Sequence, residues 1–263
     1  MKYKKFAVLL PFVLLFSGCV TVAASNQPRT NSARQSRHSR PVRFWTNKKA
    51  VVQILHISNV VVTAANGTKE TKRILSLGTG SVIDVNGLVL TNNHVIARNN
   101  LIKKIVGLIN PEIFLVCKVP DGTRQCQEAE VVATDPDHDL ALLRVDWHFD
   151  QAVEFVADSA LKPGDEVYFW GNLSFYLPIS PFFGRYIGRA EPPYYTSSNL
   201  GMALPILFMD ITAIPGVSGS PVFDETGKCV GVVGAYLSHN RARPSGLIIP
   251  STTVMKFLKK SKK

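Results

Sequence analysis

Several features of metal sites, membrane spans and repeat proteins are missing from this sequence. Its four cysteines and six histidines do not follow zinc-site spacing, so we expect no metal and no other cofactor. The apolar run 6–16 is too short to cross a bilayer as a helix. No internal repeat favours a solenoid or propeller. Acidic residues are absent from positions 1–69, which hold 11 Lys or Arg, while the rest of the chain holds 19 basic and 19 acidic residues.

Short apolar segments separated by Gly, Pro and Asn dominate the chain from residue 50 onward. They predict β-strands, and sustained helical periodicity appears only in the tail 251–260. We therefore expect an all-β fold of about 210 residues, a length that suits one functional domain. The predicted strands are 50–57, 60–63, 81–85, 113–119, 131–133, 140–145, 167–170, 204–209 and 228–235.

A serine lies between glycines in a predicted tight turn, Gly216-Val217-Ser218-Gly219. A serine hydroxyl is a poor nucleophile unless a neutral imidazole takes its proton and a carboxylate holds that imidazole in the correct tautomer. The amides of Gly216 and Ser218 suit an oxyanion hole, and a side chain at position 216 would resist the required turn. The pattern predicts Ser218 as a nucleophile that needs a separate histidine and acid.

His94 and Asp139 are the candidate partners of this serine. His94 follows an apolar strand and stands at a polar corner, whereas the other histidines lie in tails, strand interiors or charged turns. Asp139 leads directly into the apolar strand 140–145, while Asp137, the alternative acid, belongs to the turn around Pro136. The chain order His, Asp, Ser predicts a serine protease.

Four segments resemble the trypsin-like serine proteases, most closely the HtrA branch: 78–94, 135–143, 210–221 and 246–251. The resemblance implies two antiparallel six-stranded β-barrels, about 44–155 and 160–255, within a protease domain 44–263. His94 and Asp139 would come from the first barrel and Ser218 from the second.

Three residues depart from the family pattern. Val217 stands where digestive relatives carry an aspartate that pairs with a new amino terminus, so we do not expect activation by that ion pair. Ile214 and Ser220 replace a polar residue and a second glycine. We also expect no PDZ domain, because the sequence ends at Lys263.

The same resemblance places the substrate pocket at Thr212 and along Gly234, Ala235 and Tyr236. No acidic group lies at its base, so we expect cleavage after small or medium apolar residues rather than after Lys or Arg. A strand of this kind pairs with extended peptide, which implies unfolded or exposed polypeptide substrates. Relatives often trimerise, so a homo-oligomer is a further expectation.

The N-terminus predicts export. Lysines followed by the short apolar run and Ser17-Gly18-Cys19 indicate a signal peptide at 1–18 and a bacterial lipoprotein motif, with lipid on Cys19. The alternative is a cut after Ala23 or Ala24, which discards Cys19. Residues 19–43 are basic and polar and predict a disordered tether beside an anionic membrane on the extracytoplasmic side. We expect no nucleic-acid binding, because no basic-aromatic module is present.

Two of the remaining cysteines flank a turn. Cys117 and Cys126 lie on either side of Pro120-Asp121-Gly122-Thr123, so they are placed to form a disulfide across a hairpin in an oxidising compartment. Cys229, in a predicted buried strand, is expected to be unpaired.

Two other functions compete with the endopeptidase. The first is a catalytically silent, protease-like lipoprotein that binds peptides or a partner protein, which the altered residues of the serine loop leave open. The second is an α/β-hydrolase esterase. Ser220 disfavours it because that fold needs a glycine there, and the order of the triad disfavours it because that fold has histidine last.

The aromatic-rich segment 171–199 is predicted to be a loop. It could act as a lid over the active site, contact a membrane, form an oligomer interface or only pack on its own barrel.

Overall fold

The structure is a computed structural model, and it describes residues 42–63, 66–97, 108–119, 123–172, 178–191, 205–211, 213–237 and 245–261. All of them belong to the compact unit Arg40–Lys263. The predicted signal peptide, Cys19 and the predicted tether up to residue 41 lie outside the described residues. Within the described part of the chain, no helix is long and apolar enough to span a membrane.

Six antiparallel strands form the first barrel, which closes in the order β1-β2-β3-β6-β5-β4. β2 and β3 are joined by a tight turn at Gly87, whose φ of +94° is open to glycine without penalty. A Cβ there would lie 1.9 Å from the carbonyl oxygen of Val145. The strands are β1 Val51–Thr63, β2 Lys69–Asp84, β3 Leu88–Thr91, β4 Leu108–Lys118, β5 Gln125–Asp135 and β6 Leu140–Val145.

The second barrel is also closed and antiparallel, in the order β10-β11-β12-β9-β8-β7. The prediction of two six-stranded barrels followed by a short helix is therefore confirmed. The strands are β7 Glu166–Gly171, β8 Ser180–Ala190, β9 Ile206–Asp210, β10 Pro221–Asp224, β11 Cys229–Leu237 and β12 Ser245–Pro250; the helices are α1 Val42–Asn47, α2 Asn93–Ile96 and α3 Ser251–Ser261.

Two strand predictions were wrong. The segments 50–57 and 60–63 form the single strand β1, because Ser58 is buried within the sheet and the irregularity appears only as a register shift against β4. The predicted loop 171–199 contains β8, which pairs with β7 on one side and β9 on the other. The aromatic residues of that segment therefore belong in part to a barrel wall.

Apolar side chains join the two barrels. Tyr168 and Trp170 of β7 pack in the same buried cluster as Ile54 and Val89 of the first barrel. Leu140 of β6 is clustered with residues of β12 and α3. Burial of each large side chain contributes roughly 1.5–3 kcal/mol, so the barrels are held against each other by their cores as well as by hydrogen bonds.

Hydrogen bonds connect the helices α1 and α3 to the second barrel. Trp170 donates its indole N–H to the carbonyl of Phe44 in α1 at 3.1 Å. The buried carboxylate of Asp158 accepts from the amide of Thr252 in the first turn of α3 at 3.0 Å. Its other oxygen accepts from Arg189 of β8 at 2.6 Å. Asp158 therefore accepts a hydrogen bond from a free amide at the N-terminus of α3, whose own first turn contains no acidic residue.

The cysteines follow the predicted pattern. Cys117 of β4 and Cys126 of β5 are direct cross-strand partners and form a disulfide. Cys229 is free and fully buried, and desolvation raises the pKa of its thiol to about 12. A thiol held neutral at physiological pH is a packing residue and not a nucleophile.

Candidate active site

His94 stands at the start of a single helical turn that follows β3. The β3 residues are buried, and so are Val95 and Ile96 of α2, which fixes the corner against the first barrel. The His94 side chain is 35% exposed. The imidazole is thus anchored through its backbone while one edge stays accessible.

Asp139 binds His94 through both of its carboxylate oxygens. Oδ2 lies 2.7 Å from His94 Nδ1, and Oδ1 accepts from the His94 amide at 2.8 Å. The Asp139 carbonyl accepts from the side-chain amide of Asn92 at 2.9 Å and from the amide of Asn93 at 3.1 Å. The carboxylate is only 5% exposed, so the structure brings His94 and Asp139 together as an oriented pair.

The backbone at Asp139 is strained. Its φ is +53°, and among the described non-glycine residues it alone has a positive φ. Such a conformation costs about 1–3 kcal/mol and persists where the surroundings enforce it; here the bonds to Asn92, Asn93 and His94 do so. The alternative acid, Asp137, lies exposed in the preceding turn, while Asp135 pairs with His138 at 2.8 Å.

Ser218 lies in a loop shaped by two glycines in the left-handed region. Gly216 has φ +101° and Gly219 has φ +89°. A Cβ at position 219 would lie 2.0 Å from the carbonyl oxygen of Thr79, so this glycine is required by close approach as well as by its φ. Ser220 is buried, and its hydroxyl donates to the Val217 carbonyl at 2.6 Å. The serine that departs from the family pattern thus closes the turn.

Strand β2 of the first barrel holds this loop of the second. The amide of Thr79 donates to the Ser218 carbonyl at 2.8 Å, and its hydroxyl donates to the Gly216 carbonyl at 2.9 Å. The Ser81 hydroxyl donates to the Gly219 carbonyl at 3.0 Å. The Thr79 carbonyl in turn accepts from the hydroxyl of Thr91, three residues before His94. The serine loop therefore lies against the strands that lead to the His94–Asp139 pair.

The amides proposed for the oxyanion hole are those of Gly216 and Ser218. Neither amide has a hydrogen-bond acceptor among the residues that the structure describes. Neighbouring amides of the loop are used internally, since Val217 donates to Ile214 and Ser220 donates to Val217. Two free donors beside a candidate nucleophile suit a developing oxyanion.

The predicted specificity residues are described only in part. Thr212 and the side chain of Tyr236 lie outside the described residues. Gly234, Ala235 and the backbone of Tyr236 belong to β11. The β10–β11 pairing ends at Pro221 and Val232, whereas β12 pairs with β11 as far as Leu237. One edge of this β11 segment thus faces away from β12, on the side of the serine loop.

Sequence reasoning missed the polar residues that support the loop. Gln53, Thr79, Thr91 and Asn172 are all fully buried. The sequence did contain one indication of them, which is a polar side chain within an apolar strand. Such a residue indicates a buried hydrogen bond but does not identify the partner. No cluster of three potential metal ligands occurs in the described ranges.

The two closed barrels, with a serine loop lying between them, define the fold class as that of the trypsin-like serine proteases. Residues 78–232 match the family described as "Trypsin-like peptidase domain". The chain belongs to this family.

Curated relatives share the protease region with this chain. A "Probable periplasmic serine endoprotease DegP-like" of Marinomonas sp. (strain MWYL1) is 32% identical over 158 residues, which cover 60% of this chain and 29% of the relative. "Protease Do-like 5, chloroplastic" of Arabidopsis thaliana is 30% identical over 196 residues, covering 72% of this chain and 58% of the relative. The chain thus spans less than a third of the length of the DegP-like relative.

Solved structures share the fold. The crystal structure of Deg5 superposes with a TM-score of 0.59 at 25% identity and covers 81% of this chain and 89% of that one. The HtrA-type protease AlgW with a decapeptide gives a TM-score of 0.62 at 20% identity, covering 83% of this chain and 66% of that one.

Proposed function

We propose that this protein is a serine endopeptidase that cleaves peptide bonds through an acyl-enzyme on Ser218. The observation that carries the proposal is the His94–Asp139 pair, with Nδ1 and Oδ2 at 2.7 Å. Thr79, which binds the Ser218 loop, is also bonded to Thr91, three residues before His94. The His94–Asp139 pair and the hydrogen-bonded Ser218 loop argue against the alternative of a catalytically silent, peptide-binding protein.

The proposed mechanism starts from the His94 tautomer that carries its proton on Nδ1, beside Asp139. The Asp139 carboxylate accepts the Nδ1 proton of His94, so Nε2 carries the lone pair and takes the proton of the Ser218 hydroxyl as its oxygen attacks the substrate carbonyl. The oxyanion then accepts from the amides of Gly216 and Ser218. His94 returns the proton to the leaving amine, and a water activated by the same imidazole hydrolyses the acyl-enzyme.

Unfolded segments or exposed loops are the proposed substrates. The edge of β11 at Gly234–Tyr236 faces away from β12, so an extended peptide can add to the sheet there by main-chain hydrogen bonds. Thr212, Gly234, Ala235 and Tyr236 form the proposed pocket, and we propose cleavage after Ala, Val or Leu. The DegP-like relatives are named as serine endoproteases, which supports a protease of the same class.

Labelling with a fluorophosphonate tests this proposal. We expect one adduct on the purified protein, and peptide mapping places it on Ser218, because only an activated serine reacts. A parallel casein digest, read by mass spectrometry, is expected to yield fragments ending in small or medium apolar residues. An adduct elsewhere, or none, contradicts the endopeptidase and favours the peptide-binding alternative. Fragments ending in Lys or Arg contradict the pocket alone.

The proposed location is extracytoplasmic and membrane-anchored. Residues 1–18 are the proposed signal peptide, Cys19 the lipidated residue and 19–43 the tether to a protease domain at 44–263. The Cys117–Cys126 disulfide supports an oxidising compartment, and the DegP-like relatives are named as periplasmic proteins. The membrane, through lipid and basic tether, and further copies of the chain are the proposed partners besides substrate.

Lipidation of Cys19 has a direct test. Expressed with radiolabelled palmitate in a bacterial host, the wild-type chain is expected to carry label in the membrane fraction, because two or more acyl chains anchor a protein stably. Cys19→Ala is expected to lose the label, while Cys229→Ala, which removes another unpaired cysteine, keeps it. A mature protein that begins after Ala23 or Ala24 overturns the lipoprotein proposal.

A further inference from the structure

Four residues form a chain of hydrogen bonds from the disulfide hairpin to the serine loop, and Asn172 takes part through both its side chain and its backbone amide. Arg124 donates from Nε to Gln53 Oε1 at 2.7 Å. Gln53 donates from Nε2 to Asn172 Oδ1 at 2.9 Å. The backbone N–H of Asn172 donates to the Thr79 hydroxyl at 3.0 Å, and that hydroxyl donates to the Gly216 carbonyl at 2.9 Å. We call these four residues the polar relay.

The polar relay crosses the interface between the barrels. Gln53 lies on β1 and Thr79 on β2 of the first barrel, whereas Asn172 follows β7 of the second. All three are fully buried. A polar group that leaves water costs free energy unless its hydrogen bonds are replaced, and apolar residues would fill the same space without that requirement. The relay therefore fixes a geometry that an apolar contact would leave undefined.

The outer end of the polar relay is anchored by the disulfide. Arg124 lies two residues before Cys126, which is bonded to Cys117. Cys117 is also the cross-strand partner of Gln53 on β1. The disulfide thus joins β5, which begins just after Arg124, to β4, which pairs with the strand of Gln53, so it limits how far Arg124 can move from Gln53.

The inner end holds the part of the loop that has the most backbone freedom. Gly216 is glycine in the left-handed region, and glycine has no Cβ to limit its dihedral angles. The direction of its peptide groups must therefore be set by outside contacts. Thr79 makes two of them, through its hydroxyl to Gly216 and its amide to Ser218. The first depends on the hydroxyl that the Asn172 amide orients.

We infer that Gln53 and Thr79 are positioning residues that set the catalytic conformation of the serine loop, with Arg124 and the Cys117–Cys126 disulfide fixing the outer end. The inference rests on the proposed function. Displacement of reacting groups by about 1 Å can cost on the order of 100-fold in rate, so loss of the relay lowers kcat and the rate of fluorophosphonate labelling while substrate binding at the β11 edge is retained.

Paired variants at two positions test this inference. Thr79→Val removes the hydroxyl at constant shape, and Thr79→Ser keeps it. Gln53→Leu breaks the middle of the relay with a similar volume, and the matched control Gln125→Leu changes an exposed residue next to Arg124. We expect Thr79→Val and Gln53→Leu to label about 10- to 100-fold more slowly, whereas Thr79→Ser and Gln125→Leu label within about twofold of wild type.

A structural role alone would not produce this pattern. The kcat and KM for fluorescent casein are measured beside the melting temperature. We expect kcat to fall while KM stays near the wild-type value, and we expect the melting temperature to fall by only a few degrees, so that the variants remain folded at the assay temperature. Arg124→Met, a change near the surface, provides a variant that keeps the buried residues intact, and its expected loss is about 3- to 10-fold in kcat.

The outcomes separate the inference from the proposed function. Normal labelling of Gln53→Leu and Arg124→Met, with a Ser218 adduct in the wild type, overturns the polar relay alone. A rate loss that matches loss of folded protein, or that Thr79→Ser shares, also overturns it. A wild-type protein without an adduct on Ser218 overturns the proposed function and the inference together.

Discussion

Replacing Ser218 with alanine is expected to lower kcat for casein by about 10⁶-fold, with the fold and the melting temperature unchanged. The side chain is small, and the Ser218 contact with β2 is made by its carbonyl, which accepts from the Thr79 amide and is retained in alanine. What is lost is the oxygen that attacks the substrate. The measurement is the initial rate of fluorescent casein cleavage at saturating substrate.

The double variant Ser218→Ala with His94→Ala sharpens this test. Residues that act as one unit are strongly non-additive, so the second change is expected to remove almost nothing further. Ser180→Ala, outside the site, is the control and is expected to keep the wild-type rate. Independent, multiplying losses from Ser218 and His94 would show that the two residues do not share a proton and would contradict the proposed triad.

The second large effect is expected for Asp139→Asn, a loss of about 10⁴-fold in kcat near neutral pH. Asparagine retains an oxygen for the His94 amide, but its NH2 group faces Nδ1 in place of the carboxylate oxygen at 2.7 Å. An NH2 donor selects the tautomer with the proton on Nε2. That tautomer cannot accept the Ser218 proton. The measurement is kcat across a pH series with circular dichroism as the check on folding.

Asp137→Asn is the matched control for this variant. Asp137 lies in the same turn, is exposed, and is the alternative acid that the sequence left open. We expect it to change kcat by less than about twofold, as is usual for an isolated surface carboxylate. A large loss in Asp137→Asn beside an active Asp139→Asn would reverse the assignment of the acid.

The sequence allowed most of the fold to be predicted, and the errors have specific causes. Segments such as Leu140–Val145 are apolar along most of their length and are bounded by turns, so the sequence identifies them as buried strands. β8 was missed because the apolar residues Phe183 and Ile187 occupy exposed positions of the strand, so its sequence does not alternate between apolar and polar residues although its burial does. β2 begins before its predicted start at residue 81, and its first five residues, Lys69 to Arg73, are charged apart from Thr71 and have no apolar face to detect.

The residues of the candidate site also fall into two groups, those that the sequence could identify and those that it could not. His94 and Ser218 have local motifs, since each lies at a corner or turn that its neighbours specify. The bonds between Gln53 and Asn172, 119 positions apart, and between Thr79 and Gly216, 137 positions apart, have no local signature. They arise only when the barrels pack together. Tertiary contacts of this kind cannot be derived from periodicity or spacing in one sequence.

The hydrogen bonds between β2 and the serine loop also determine the stage of folding at which the site can form. A chain in which only the first barrel has formed contains the His94–Asp139 pair but no serine beside it. A second barrel formed alone would hold Ser218 in a glycine-rich loop that has lost the Thr79 contacts. Docking of the two barrels therefore completes the candidate site, and a chain in which only one barrel has folded lacks the full set of His94, Asp139 and Ser218.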